Sequence, residues 1–401
     1  MEITDKGVCV EGFKASGIKK GKYGLSIIQS RCEANCAVMM TSNKIQASPL
    51  IVSTDHAKKG VVRGIVANSG NANAYTGKAG IEDSKRMCQL AAEKTGLKVE
   101  DFIVASTGII GRRLDMETIE IMIGEVSKNL EYSKEASLVA AKGIMTTDTR
   151  AKMISVKTKL DSGKDIEIGG IAKGAGMIAP DLVHATMLCF ITTNAYIPRE
   201  NIDESLKRAV DDSFNMLNID NDMSTNDMVV LLANGLAGNQ DVDEKFQEAL
   251  DFVALEIAKM IAKDGEGATK YFEVNVKGAS TKRDAKKAAK AVAGSNLVKT
   301  AIFGRNPNWG RIIAAVGYSG AEINPDEITL SMEADNESVG LIEKGKILAF
   351  PDTEGLRLAK EILKKGELRI AIDLNMGDEE ATAFGCDLSP EYVKINAEYS
   401  T

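Results

Sequence analysis

The hydrophobic pattern changes period along the chain. Short apolar, β-branched runs at 64–67, 102–105, 153–160, 186–192, 228–233, 271–276 and 368–374 predict strands. Between them apolar residues recur three and four apart, which predicts helices over 82–94, 116–129, 202–216, 244–263, 282–293 and 354–364. The plainest stripe is Phe246, Leu250, Val253, Leu255 and Ile257, with Gly265 just beyond as a stop signal. Strands interleaved with helices predict a mixed α/β fold with more than one lobe. No fixed-period repeat and no low-complexity linker marks the boundary between lobes. Glycines (36, against 7 prolines) collect in short polar segments at strand ends, where sites sit on such scaffolds.

Composition adds exclusions. The chain has 401 residues, 44% hydrophobic, enough for a packed core and, at about 150 residues per domain, two or three domains or one large bilobed one. With 50 basic and 57 acidic residues the net charge is −7, which argues against a nucleic-acid surface. No run of about 18 apolar residues occurs, and the first ten residues lack a signal peptide's apolar stretch. The expectation is a soluble, cytoplasmic protein with no membrane or nucleic-acid partner. Six cysteines are spread thinly, and only Cys32 and Cys36 are close. Without a second pair they predict neither a zinc site nor a disulfide framework, and no metal is expected. Only two histidines occur, His56 and His184. Hydrolases with an imidazole base must therefore pass through one of those positions.

Two glycine-rich segments imitate phosphate loops. Gly174-Ala-Gly-Met-Ile-Ala179 matches G-x-G-x-x-A, but Pro180 follows at once and then a strand-like run, so the helix that a dinucleotide site needs is missing. Gly265–Lys270 lacks the glycine before the lysine, and Glu266 puts a negative charge where phosphate would bind.

Thr186 opens the apolar run after this turn. One reading is a β-branched residue in a sheet. The other is chemical. In a histidine-poor protein a threonine hydroxyl can use its own α-amine as base, once the preceding peptide bond is cut. An α-amine with a pKa near ~7.7–8.0 accepts a proton at neutral pH. Small Ala185 and the flexible Lys173–Met177 turn suit such a cut.

These segments, Lys173-Gly-Ala-Gly-Met177 with Pro180 and Ala185-Thr-Met-Leu188, resemble the signature of the glutamate N-acetyltransferase / ornithine acetyltransferase family of arginine biosynthesis. The resemblance runs through Thr41-Ser-Asn-Lys44, Asn68-Ser-Gly-Asn-Ala-Asn73, Ser106-Thr-Gly-Ile-Ile-Gly111, Thr146-Thr-Asp-Thr149, Asp264-Gly-Glu-Gly-Ala-Thr-Lys270, Asn306-Pro-Asn-Trp-Gly-Arg311 and the tail Asn396-Ala-Glu-Tyr-Ser-Thr401, in the family's order over essentially the whole chain.

The resemblance implies an α/β fold of layered mixed sheets and helices in two lobes, with the site in a cleft. It implies self-cleavage between Ala185 and Thr186, giving an α chain (1–185) and a β chain (186–401), with a C-terminal lobe from about 280. Thr186 would carry the acetyl group from N-acetylornithine to glutamate, with Thr107 and Gly108 as the oxyanion hole. Lys173, Thr146 or Thr147, Glu266, Asn396 and Thr401 would hold the substrate. No cofactor is implied, acetyl-CoA is a candidate second donor, and paired αβ units (α2β2) are the expected assembly. One departure stands out. The spacer Asp181-Leu-Val-His-Ala185 is two residues longer than the family's, and His184 there is either a base for cleavage or a solvated loop residue. Two other functions remain open: an N-terminal-threonine amidohydrolase or aminopeptidase, in which water replaces glutamate, and a non-catalytic amino-acid-binding protein.

Overall fold

The computed structural model describes residues 1–179 and 187–398. The described residues form two units, one of 1–215 and 223–261, the other of 216–222 and 262–398. The expected division at 185/186 concerns the covalent chain, and the residues around it lie outside the described ones.

The first unit is built on a nine-stranded mixed sheet. Its order is Glu2–Thr4, Lys152–Lys159, Asp165–Lys173, Leu188–Thr193, Met228–Ala233, Tyr23–Met40, Val61–Asn71, Phe102–Ile109, with Phe13–Lys20 also paired to Tyr23–Met40. Strict alternation sends successive side chains to opposite faces. Ile65, Ala67, Ile103 and Ala105 join one buried cluster, which takes in Ala136, Ala140 and Ile144 of the helix Lys134–Ile144. Val66, Phe102 and Val104 join another, which takes in Met87 and Leu90 of Gly77–Thr95 and Ile119, Met122 and Ile123 of Met116–Lys128. The helix Ser48–Ala57 gives Leu50 to the first cluster and Val52 to the second.

The second unit carries a seven-stranded sheet in the order Lys346–Ile347, Glu337–Glu343, Thr329–Ala334, Glu367–Asp373, Tyr271–Ala279, Glu379–Cys386, Leu217–Asn218. The helix Lys282–Gly294 packs on it through Ala285, Ala288, Ala289 and Val292, small side chains that allow close approach. Its N-cap Thr281 accepts the Asp284 N–H. The short strand Leu217–Asn218 pairs parallel with Glu379–Cys386, which anchors the 216–222 excursion to this sheet.

Every predicted strand and helix has a counterpart, and Met228–Ala233 and Glu244–Lys263 match at both ends. The strand expected over 186–192 is described as Leu188–Thr193. Two local readings change. Leu255 lies off the buried stripe, which runs through Phe246, Leu250, Val253, Ile257 and Ile261. Gly265 is not the left-handed residue at the helix end; that is Gly267 (φ +68°), and a Cβ on Gly265 would lie 2.6 Å from the Cys386 sulfur. Among the described residues no helix is long and apolar enough to cross a membrane.

Candidate functional site

Thr107 and Gly108 sit at the end of the strand Phe102–Ile109, parallel to Val61–Asn71 with Ser69 opposite Thr107 and Gly70 opposite Gly108. The ladder shifts register at Asn71. A Cβ on Gly108 (φ +130°) would stand 2.4 Å from the Gly70 carbonyl carbon, so this backbone approach admits only glycine. The Asn68–Asn73 segment holds the turn in place. Asn68 Nδ2 donates to the Asn71 carbonyl (2.9 Å), Asn71 Nδ2 to the Arg113 carbonyl (2.8 Å), and Asn73 Nδ2 to the Gly80 carbonyl (2.8 Å). Asn226 ties the two strands together by donating to the Ala72 (2.6 Å) and Ser106 (2.8 Å) carbonyls. The Thr107 side chain is buried, and among the described residues its hydroxyl has no hydrogen-bond partner.

A buried charge network lies in the same unit. Lys173 ends the strand Asp165–Lys173 and is buried. Asp148 and Lys152, with side chains 0% exposed, form an ion pair at 2.6 Å. Asp148 also accepts the Gly174 N–H (2.7 Å) and the Thr146 N–H (3.0 Å). Burial pushes its carboxyl up. The charges of Lys173 and Lys152 and the Gly174 N–H outweigh that and bring it down to about 2. One carboxylate thus fixes the backbone of two segments and neutralises part of the charge of two buried lysines.

Lys19 joins these groups from the strand Phe13–Lys20. Its Nζ donates to Ser69 Oγ (2.9 Å), the Lys22 carbonyl (3.3 Å) and the Met145 carbonyl. Burial pushes its ammonium pKa down, and the Lys173 charge adds to that against the pull of Asp148. Lys19 therefore links the residue opposite Thr107 to the residue before Thr146.

Glu266 and Asn396 belong to the second unit. The 264–270 loop is clamped by Asp387, which accepts the Thr269 N–H (2.8 Å), the Lys270 N–H (2.9 Å) and the Thr269 hydroxyl. Ser389 Oγ donates to the Gly267 carbonyl (2.6 Å). Glu266 is 9% exposed and among the described residues accepts one hydrogen bond, from Asn396 Nδ2 at 2.7 Å. Asn396 stands on the helix Pro390–Glu398, which has no buried residue. On the same helix Tyr392 donates to Asp220 (3.2 Å); burial first, then Asp220 and Glu266, push its phenol up.

Thr186, Ala185, His184 and Thr401 lie outside the described residues. His56 is a core residue whose Nδ1 is 2.7 Å from the Phe102 carbonyl oxygen. The 265–270 segment follows a helix and precedes a strand, the reverse of a phosphate loop. All six cysteines are free, and Cys32 donates to the Asn234 carbonyl. Among the described residues no group of three His, Cys, Asp or Glu is placed to hold a metal. Asp148, Lys19 and Asn226 are the residues that sequence reasoning did not single out. Asp148 lay inside the Thr146–Thr149 motif; the other two carried no signal.

The ArgJ family model matches residues 11–401. The chain is 51% identical to the glutamate N-acetyltransferase of Methanocaldococcus jannaschii, with 100% of each chain covered. It is 46% identical to the arginine biosynthesis bifunctional protein ArgJ of Caldanaerobacter subterraneus, again over 100% of both. The crystal structure of arginine biosynthesis bifunctional protein ArgJ from Bacillus halodurans is 38% identical and covers 51% of this chain and 96% of that one, with a TM-score of 0.48.

Proposed function

The chain belongs to the ArgJ family of arginine-biosynthetic acyltransferases, and on that premise we propose that it moves an acetyl group from N-acetylornithine to glutamate through an acetyl-Thr186 ester. Cleavage of the Ala185–Thr186 bond frees the Thr186 α-amine. That amine takes the hydroxyl proton as Thr186 Oγ1 attacks the acetyl carbonyl. The oxyanion is met by the Thr107 hydroxyl and the Gly108 N–H. Collapse breaks the amide C–N bond, and the proton leaves with ornithine. The glutamate amine then attacks the ester, releasing N-acetylglutamate and restoring the hydroxyl. Lys173, Thr146, Glu266, Asn396 and Thr401 hold the amino acid; acetyl-CoA is a second donor; the cleaved units assemble as α2β2.

The observation that carries this reading is the Thr107 hydroxyl, on a buried residue and without a hydrogen-bond partner among the described residues, beside a turn that only glycine can make. Such a donor is held ready for charge that develops on another atom. Three measurements test the reading. Intact mass separates a cleaved chain from a single one, and Thr186→Ala is expected to give one full-length chain with no transfer. Ornithine release from N-acetylornithine is expected to depend on glutamate, and equal release without it would make water the acceptor. Glutamate acetylation with acetyl-CoA alone tests the second donor.

A further inference from the structure

The segment Asn306-Pro-Asn-Trp-Gly-Arg311 has no step in the transfer reaction, yet it is tightly built. The helix Asn296–Phe303 ends with the Asn306 N–H on the Ala301 carbonyl (2.8 Å) and the Arg305 N–H on the Ile302 carbonyl (3.2 Å). The Trp309 N–H bonds the Pro307 carbonyl (3.0 Å) and opens the helix Trp309–Tyr318. Trp309 Nε1 donates to the Ala349 carbonyl (3.1 Å), which fastens the segment leading to the helix Glu354–Ile362. The turn and that helix together frame a groove of about 460 Å³.

Arg305, Arg357 and Lys360 line this groove against one carboxylate, Asp352. Among the described residues none of the three cations has an ion pair or a side-chain hydrogen bond. This concentration of positive charge stands out in a chain of net charge −7. Arg305 (φ +53°) and Asp352 (φ +70°) both hold left-handed backbone, which glycine would occupy without strain.

We infer that this groove binds a diphosphate-bearing small molecule of nucleotide size. Two guanidinium forks and an ammonium match the oxygens of a diphosphate. The volume falls within the ~300–1,000 Å³ range of small-molecule sites. Pro307 and Leu356 give the groove apolar wall for a planar base. The inference does not rest on the transfer reaction, and either can fail alone.

Calorimetric titration of the whole protein with pyrophosphate, ADP and coenzyme A tests it. Saturable 1:1 binding that weakens with salt is expected, with ADP about 5-fold tighter than pyrophosphate through its base. Arg305→Ala/Arg357→Ala is expected to weaken binding about 100-fold, and Asp352→Asn to tighten it about 3-fold. Acetyl transfer from N-acetylornithine to glutamate should be unchanged in each variant, which also shows that they fold. Coenzyme A binding tighter than ADP makes an acyl carrier the source of the diphosphate; the reverse makes it a free nucleotide. No saturable binding of any of the three, or a double variant that binds like the parent, overturns the site. Equal affinities for ADP and pyrophosphate overturn its nucleotide size.

Discussion

The two candidate clusters hold their charged groups in opposite ways. Around Asp148, one carboxylate serves Lys152, the Gly174 N–H and the Thr146 N–H and faces Lys173, all within the sheet unit's interior. Around Glu266, one carboxylate takes, among the described residues, one hydrogen bond from a helix that buries no residue. A buried charge with several partners is part of the fold, because removing one partner strands the others. A carboxylate with a single partner on an exposed helix keeps acceptor capacity for a ligand. The first cluster should therefore answer mutation in stability and turnover together, the second in binding alone.

Asp148→Asn is the strongest way to break that contrast. It removes the negative charge between Lys152 and Lys173 and should cost about 3–5 kcal/mol of stability along with most activity. The pH dependence carries the same signature. The Lys173 and Lys152 charges hold the Asp148 carboxyl at about 2, below its ordinary value near ~3.9, so its stabilising increment is full above about pH 4 and is lost as pH falls through about 2. Thermal denaturation should show that acid limb in the parent and not in the variant. Equal Tm for the two at pH 7 would move Asp148 out of the fold's framework.

Thr107→Val sharpens the contrast from the other side. The hydroxyl has no partner among the described residues, so its loss should leave stability within about 1 kcal/mol of the parent's. If it is an oxyanion donor, kcat falls about 100- to 1,000-fold with KM little changed. Lys19 comes next as a positioning residue between Ser69 and Met145. Lys19→Met should lower kcat about 10-fold and stability by about 1–2 kcal/mol, with partial rescue by Lys19→Arg. A stability loss without the kcat loss would make Lys19 structural only.

Legibility in the sequence follows the same division between local and long-range causes. The strand Met228–Ala233 and the helix Glu244–Lys263 are uninterrupted local patterns, and both ends could be read. The longest strand, Tyr23–Met40, was invisible. Its polar run Gln29–Asn35 breaks the apolar pattern, and the sheet supplies the pairing instead. The helix Ser48–Ala57 was hidden by Leu50-Ile51-Val52, a strand-like run in which only the first and last are buried. Gly108, Lys173 and Glu266 were named through resemblance, since no local pattern gives them a role. Lys19 and Asn226 act on partners 126 and 154 residues away, a separation that no window of sequence contains.

Asn396→Ala is the smallest expected effect and the one on which the contrast turns. The substitution removes one hydrogen bond to a charged group, and the helix it sits on has no buried residue to unpack. The Glu266 loop keeps its clamp, because Asp387 and Ser389 bind the loop backbone independently of Asn396. Tm should therefore stay near the parent's, while KM for the amino acid rises about 3- to 10-fold at unchanged kcat. Asn396→Asp should raise KM further, since it sets a second carboxylate against Glu266 and the Tyr392–Asp220 pair. Addition of salt should narrow the gap between the two variants, because it screens repulsion and not the missing hydrogen bond. A fall in Tm as large as that of Asp148→Asn, with no change in KM, would show that Glu266 is a structural carboxylate like Asp148, and the two clusters would then differ in location and not in kind.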